Sequence, residues 1–157
     1  MTSNPLSQFS ARTLQKSVAL LFVFTTIVVI TLTLIPLNGS GPKIPYFDKI
    51  VHFFMFGGWS FLFGWMLTIT YHTYRRKHQL NTSSILTTDY TTPVYLIALS
   101  GFVFGGIIEI LQGVLPIGRT PDVADTLANG LGALVAAFFL KWISTKSFYR
   151  KSVELEE

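Results

Sequence analysis

Four long runs of hydrophobic residues, separated by polar segments, set the pattern of this 157-residue chain. Each run has about twenty residues, the length that an α-helix needs to cross a hydrocarbon layer of roughly 30 Å. The pattern therefore predicts an all-α fold, a polytopic four-helix transmembrane bundle. The predicted spans are residues 18–37, 50–71, 94–115 and 122–142.

Polar segments surround and connect the predicted spans. Residues 1–16 form a basic amino-terminal segment, residues 72–93 form a Ser/Thr-rich loop, and residues 144–157 form a polar tail. A basic segment before a hydrophobic run is also typical of a secretory signal, but this run exceeds the roughly 7–15 residues of a signal core. We therefore expect the first span to be retained and residues 17–143 to form one membrane domain.

Composition agrees with a membrane protein and excludes several kinds of site. Half of the residues are hydrophobic and 13% are charged, whereas roughly a quarter of the residues in soluble domains are charged. Cysteine is absent, which excludes disulfides, thiolate metal sites and cysteine nucleophiles. The net charge of +4 does not indicate nucleic-acid binding, because the basic residues cluster at the ends of the hydrophobic runs and form no stripe.

The lysine and arginine residues predict the orientation of the bundle. Nine of the twelve lie in the amino-terminal segment, in the long loop, and at or beyond the end of the fourth run. The other three, Lys43, Lys49 and Arg119, lie beside the two remaining connections. By the positive-inside rule, both termini and the long loop are predicted to be cytoplasmic, and the two short connections face outward.

Ionisable and amide side chains interrupt the hydrophobic runs, where membrane spans rarely carry them. At about 100° and 1.5 Å per helical residue, they fall on facing sides of the second, third and fourth spans and within the outer leaflet. A short turn that contains Arg119 joins the third span to the fourth. We therefore expect these side chains to converge in one outward-facing polar pocket. The candidate site residues are Asp48, Lys49, His52, Glu109, Gln112, Arg119, Asp122, Asp125 and Asn129.

Charged groups in a membrane span need partners, because each costs roughly 2.5–3.5 kcal/mol at the bilayer centre on insertion scales. Arg119 and His52 are the main cationic candidates near the acids. We expect Arg119 to pair with one carboxylate and His52 to form a hydrogen bond with another.

Two interpretations of the polar cluster follow from the residues. In the first, the cluster is structural and fixes the helices in register through interhelical hydrogen bonds. In the second, it is a site in which His52 exchanges protons with Glu109 or Asp125, and the other candidate residues bind a substrate. Arg119 would then contact an anionic head group. Ion transport is less favoured, because transporters usually place polar groups at mid-bilayer and contain internal repeats.

A metal centre is a further alternative. A divalent ion held by His52, Glu109, Asp122 and Asp125 would have hard oxygen ligands and one imidazole, a known combination. The chain has no His-Glu-x-x-His motif and no second histidine at ligand spacing. We therefore assign neither metal ligands nor a cofactor from the sequence.

Three blocks of the chain resemble those of the VanZ-like family of small bacterial membrane proteins. The first is Asp48-Lys49-x-x-His52-x-x-x-Phe56 and the second is Glu109-x-x-Gln112. The third is Arg119-x-x-Asp122-x-x-Asp125-x-x-x-Asn129-x-x-Gly132. Their order and spacing make the combination specific, and the resemblance extends over roughly residues 48–137.

The resemblance implies a multi-pass protein of the bacterial plasma membrane. The family's namesake is associated with lowered susceptibility to the glycopeptide antibiotic teicoplanin, whose target is a lipid-linked cell-wall precursor. By this resemblance the expected partners are membrane lipids, including a lipid-linked glycan or another amphiphile that the pocket binds or modifies. The alternative is a non-enzymatic module for membrane assembly or partner binding, with a structural polar cluster.

Overall fold

The computed structural model describes residues 5–35, 45–77 and 91–153. Within these ranges the chain forms four α-helices and no strands, which confirms the predicted all-α fold. The helices are α1 (Pro5–Leu34), α2 (Phe47–Lys77), α3 (Thr91–Val114) and α4 (Val123–Val153).

Each helix contains a stretch long and apolar enough to cross a membrane. These stretches are Thr13–Leu34, Phe47–Tyr71, Val94–Val114 and Val123–Ser144. They coincide closely with the four spans predicted from the hydrophobic runs, so the chain is a multi-pass membrane protein.

The helices extend further than the hydrophobic runs that predicted them. α2 continues to Lys77, six residues into the segment predicted as a loop, and α4 continues to Val153, into the predicted tail. Lysine and arginine favour helix formation nearly as well as leucine. Loss of hydrophobicity therefore marks the edge of the membrane but not the end of the helix. Parts of the predicted segments lie outside the described residues: 1–4, 36–44, 78–90 and 154–157.

The helices α2, α3 and α4 form the centre of the bundle. α4 packs against both α2 and α3, whereas α1 packs against α2 and more lightly against α3; within the described residues α1 does not reach α4. Trp59 joins α2 to its neighbours, because its ring stacks on Phe104 of α3 with centroids 4.6 Å apart. Its indole N–H donates to Thr26 Oγ1 of α1 at 2.8 Å.

Large apolar side chains on all four helices point away from the bundle. Phe24, Phe54, Phe102 and Phe138 are examples, one from each helix in turn. In a membrane these side chains face lipid tails, which are as apolar as the protein core. Tight backbone packing, and not burial of apolar area, therefore has to hold the helices together.

Glycine residues supply this tight packing between α2, α3 and α4. A Cβ atom added to Gly132 of α4 would overlap the main-chain oxygen of Phe53 in α2. A Cβ atom added to Gly105 of α3 would lie 2.6 Å from the amide nitrogen of Asn129 in α4. The first contact brings the backbones of α2 and α4 together, and the second makes room for a polar side chain between α3 and α4.

We expect Gly132→Ala to destabilise the bundle by about 1–3 kcal/mol, because a methyl group at this contact forces two backbones apart. The measurement is the thermal unfolding midpoint of the purified protein in detergent. Gly58→Ala is the matched control, since a Cβ atom at Gly58 would meet no atom within 4 Å. Equal midpoints for both variants would contradict the proposed close approach of α2 and α4.

Candidate functional site

Three buried ionisable side chains meet at one end of the bundle. His52 comes from the second turn of α2, Glu109 from the last turns of α3 and Asp125 from the first turn of α4, and their exposed fractions are 5%, 5% and 8%. His52 Nδ1 lies 4.0 Å from Glu109 Oε1, and His52 Nε2 lies 3.9 Å from Asp125 Oδ2. The predicted convergence of these groups from three helices is therefore present.

The hydrogen bond of His52 goes to an amide and not to an acid. His52 Nδ1 lies 3.0 Å from Asn129 Oδ1, within hydrogen-bond distance, whereas both carboxylates are too far away. The predicted His52–carboxylate hydrogen bond is therefore wrong. With the amide oxygen facing Nδ1, a neutral ring donates a hydrogen bond there and carries its lone pair on Nε2, which faces Asp125.

Asn129 and Phe56 fix the position of the imidazole ring. Asn129 is fully buried and occupies the space left by Gly105. The ring of Phe56 lies nearly parallel to that of His52, with centroids 6.0 Å apart and an interplanar angle of 11°. The sequence assigned Asn129 to substrate binding; the structure shows it orienting His52.

Glu109 links the end of α3 to the start of α4 through one of its two oxygens. Glu109 Oε2 accepts a hydrogen bond of 2.8 Å from the main-chain N–H of Asp122. Its other oxygen, Oε1, is buried and has no hydrogen-bond partner among the described residues. Asp122 caps α4, since its Oδ1 accepts from the N–H of Ala124 at 2.8 Å.

The three aspartates of the cluster are paired with Lys49. Lys49 Nζ lies 2.7 Å from Asp48 Oδ2 and 3.0 Å from Asp125 Oδ1, and it also contacts Asp122 Oδ2. The hydrogen bond from Lys49 holds the pKa of Asp122 below its usual value. A lysine side chain is long and flexible, so it can bring its ammonium group to acids on another helix.

The predicted pair between Arg119 and a carboxylate is wrong. Arg119 Nε donates to the main-chain oxygen of Ile35 at 3.1 Å, and Arg119 Nη2 donates to that of Leu32 at 3.3 Å. The last carbonyl groups of a helix lack partners within the helix and carry partial negative charge. Arg119 therefore binds the end of α1. Gly118, with a φ angle of 69°, provides the turn before it, in a conformation that glycine adopts without steric cost.

Gln112 also points at α1 and not at His52. Its Nε2 donates to the main-chain oxygen of Thr33 at 2.8 Å, and the side chain is 3% exposed.

The nine candidate residues therefore divide into three groups. The inner group consists of His52, Glu109, Asp125 and Asn129; the outer group of Asp48, Lys49 and Asp122; and the group that holds α1 of Gln112 and Arg119.

The inner and outer groups form one connected cluster with an excess of acids. It contains four carboxylates and one ammonium group, so its formal charge is −3 when all are ionised and His52 is neutral.

A small cavity of ≈ 20 Å³, lined by residues that include Thr68, Val94 and Lys141, lies towards the opposite end of the bundle. That cavity therefore takes no part in the chemistry of the cluster.

Comparison with known proteins gives one family. The family model described as VanZ/LLP1 matches residues 1–144 of the chain, a range that includes all four spans and all nine candidate residues. No curated protein and no solved structure matches the chain.

Lys49→Gln should raise the pKa of Asp122 towards 3.8, its value without partners. In the wild type, the lowered pKa contributes stability at pH values above 3.8, and this contribution is lost as the pH falls through the pKa of the folded state. The midpoint can be followed by NMR of aspartate carboxyl carbons in detergent micelles, with Asp122→Asn to assign the signal. Lys16→Gln, a change far from the cluster in the sequence, is the control. An unchanged Asp122 midpoint in Lys49→Gln would contradict the lysine–acid network.

Proposed function

The chain belongs to the VanZ/LLP1 family, and from this premise we propose that it binds the polar head group of an envelope lipid or lipid-linked cell-wall component and acts on it. The observation that carries the proposal is that His52, Glu109 and Asp125 are buried side by side. Glu109 Oε1 has no hydrogen-bond partner among the described residues. Ionisable groups inside a membrane are expensive, and they commonly mark substrate or ion sites.

An unpaired atom favours a site over a purely structural cluster. A buried acceptor without a hydrogen bond costs about 1–3 kcal/mol. A cluster that served stability alone would be expected to pair Glu109 Oε1 or to replace the acid. In this chain the acid is present and one of its oxygens faces His52. A ligand that donates a hydrogen bond to this oxygen would supply the missing partner.

The cluster has the depth at which head groups lie. His52 is five residues from the start of α2 and Glu109 is five from the end of α3, so both are about 7–8 Å from the helix ends at 1.5 Å per residue. Asp48, Lys49 and Asp122 lie nearer the surface and are partly exposed. The outer group would meet the head group first, and the inner group would contact the reacting atoms.

Charge limits the kind of head group. The formal charge of the cluster is −3, and the cationic groups of Lys49 and Arg119 are already engaged by acids and by carbonyl groups. An isolated phosphate would be repelled. The cluster favours a head group with hydroxyl or ammonium donors, or one accompanied by a cation. This differs from the sequence-based expectation that Arg119 contacts an anionic head group.

We place the cluster at the outer face of a bacterial plasma membrane, because nine of the twelve lysine and arginine residues lie on the side of the termini and the long loop. Teicoplanin carries a lipid tail and acts on a lipid-linked precursor at this face. Protection against teicoplanin is therefore the activity that we propose to test.

Expression of the chain in a teicoplanin-susceptible Gram-positive bacterium should raise the minimal inhibitory concentration above that of the empty-vector strain. Glu109→Gln and Asp125→Asn should return it to the empty-vector value while the protein remains inserted at wild-type levels, because each removes a reactive group and keeps the side-chain shape. Lipids that copurify with each form, identified by native mass spectrometry, test head-group binding directly.

Ser60→Ala is the matched control, because Ser60 is a fully buried polar residue of α2 outside the cluster. Protection that survives both acid substitutions would refute a functional cluster. Protection that falls only in proportion to the amount of inserted protein would favour the structural interpretation. If wild-type protein gives no protection and retains no envelope lipid, the proposed function is wrong.

Orientation can be tested by cysteine labelling, since the chain contains no cysteine of its own. In intact cells, a membrane-impermeant maleimide should label Lys43→Cys and Thr120→Cys. It should label Arg76→Cys only after the cells are permeabilised. The opposite pattern would place the cluster at the cytoplasmic face and would exclude an outer-leaflet substrate.

A further inference from the structure

We infer that His52, Glu109 and Asp125 form a binding site for a divalent metal ion of the Zn²⁺ or Mn²⁺ type. The inference goes beyond the proposed function, because the ion can bind whether or not a lipid does. It also changes the role of the three side chains, which would hold an ion instead of exchanging a proton.

The positions of the ligand atoms are suited to one ion. Each of the three residues offers one nitrogen or oxygen atom, and these atoms lie within 4.8 Å of one another. Metal bonds to histidine nitrogen and to carboxylate oxygen are about 2.0–2.2 Å long, so two ligands of one ion lie at most about 4.4 Å apart. Small side-chain rotations, which move these atoms by about a few tenths of an ångström, would bring all three ligand atoms within bonding distance of one ion.

The hydrogen bond from His52 to Asn129 prepares the imidazole as a ligand. Histidines that bind metals usually donate their other ring N–H to a carbonyl or carboxylate oxygen, which fixes the tautomer. Here His52 Nδ1 faces Asn129 Oδ1 at 3.0 Å. In a neutral ring that donates from Nδ1, the lone pair is on Nε2, which lies 3.9 Å from Asp125 Oδ2.

The unpartnered oxygen of Glu109 is the independent sign of a ligand. Glu109 is 5% exposed, and its Oε1 has no hydrogen-bond partner among the described residues, although Oε2 is bonded to the N–H of Asp122. Oε1 lies 4.0 Å from His52 Nδ1, and the ligand atoms of His52, Glu109 and Asp125 lie within 4.8 Å of one another. An ion held between the three residues would give this oxygen a partner.

The negative charge of the cluster also favours binding of a divalent ion. With all acids ionised, four carboxylates face one ammonium group, and the formal charge of −3 falls to −1 when a divalent ion binds. Isolated charge in a region of low dielectric is costly unless paired. A doubly charged ion therefore neutralises the inner acids more completely than a single proton would.

A second group of acids, Asp48, Asp122 and Asp125, also gathers at this end of the bundle. Lys49 Nζ contacts all three of these acids. The outer acids and Asp125 therefore already share a cation, whereas Glu109 has none among the described residues. This contrast favours the group that contains Glu109 as the metal site.

The test uses the full chain with a histidine-free affinity tag. His72→Ala and His78→Ala remove two of the three histidines in the sequence, so that only His52 is left. The protein is purified in detergent, stripped with a chelator and titrated with Mn²⁺, and the loss of the free-ion signal is followed by electron paramagnetic resonance. We expect one Mn²⁺ per chain, displaced by Zn²⁺. His52→Ala and Glu109→Gln should each weaken binding by at least about tenfold, as should Asn129→Ala through loss of the bond that orients the ring.

Ser60→Ala is the control variant, because Ser60 is a fully buried polar residue of α2 outside the cluster. It should leave Mn²⁺ affinity unchanged. Thermal unfolding shows whether each variant is folded, and a Glu109→Asp variant that recovers part of the affinity would confirm an oxygen ligand at this position. Absence of Mn²⁺ and Zn²⁺ binding by the parent protein would overturn the inference, as would equal weakening by Ser60→Ala and Glu109→Gln.

Failure of the metal site and failure of the proposed function give different results. If the protein binds no metal but teicoplanin protection still depends on Glu109, the metal site is refuted and the head-group function is supported. The cluster would then act by proton exchange. Conversely, metal binding without protection or lipid retention would leave the metal site in place and refute the proposed function.

Discussion

The cost of placing charge in a membrane governs the architecture of this protein. Water does not solvate an acid within the hydrocarbon layer, so each acid there needs a partner from another helix or from the adjoining turn. Lys49 of α2 joins Asp125 of α4 and its capping residue Asp122, and Glu109 of α3 accepts from the main chain of Asp122. These contacts tie α2, α3 and α4 at one end, where the loss of a single partner would leave a charge uncompensated.

Small residues make these polar contacts possible. Gly132 lets the backbone of α4 approach that of α2, and Gly105 makes room for Asn129 between α3 and α4. Asn129 then reaches His52. Because lipid tails compete equally well for apolar side chains, the bundle depends on such close fits and on polar pairs more than on hydrophobic area. The residues that allow packing and those that build the site are therefore interdependent.

The sequence was sufficient to predict the helices and much of the cluster. Runs of about twenty apolar residues identify spans because the hydrocarbon thickness fixes their length. Helical spacing and the turn after α3 then brought His52, Glu109 and Asp125 to one end. The partners of Arg119 and Gln112 could not be predicted in this way, since both bind main-chain carbonyl groups, which every residue has and which leave no pattern in the sequence. The reach of Lys49 depends on a flexible side chain, whose conformation only the packed structure defines.

The uncharged span of α1 bears on how the chain enters the membrane. From Val18 to Leu34 this helix has no charged residue, so it is stable in lipid by itself as soon as it leaves the translocation machinery. α4 is different, because its first two turns carry Asp125 and Asn129, groups that partition poorly into hydrocarbon. It is synthesised last, when α2 and α3 already present Lys49, His52 and Glu109 to receive it. The order of helices along the chain thus places the span that inserts least readily after the helices that can accept it.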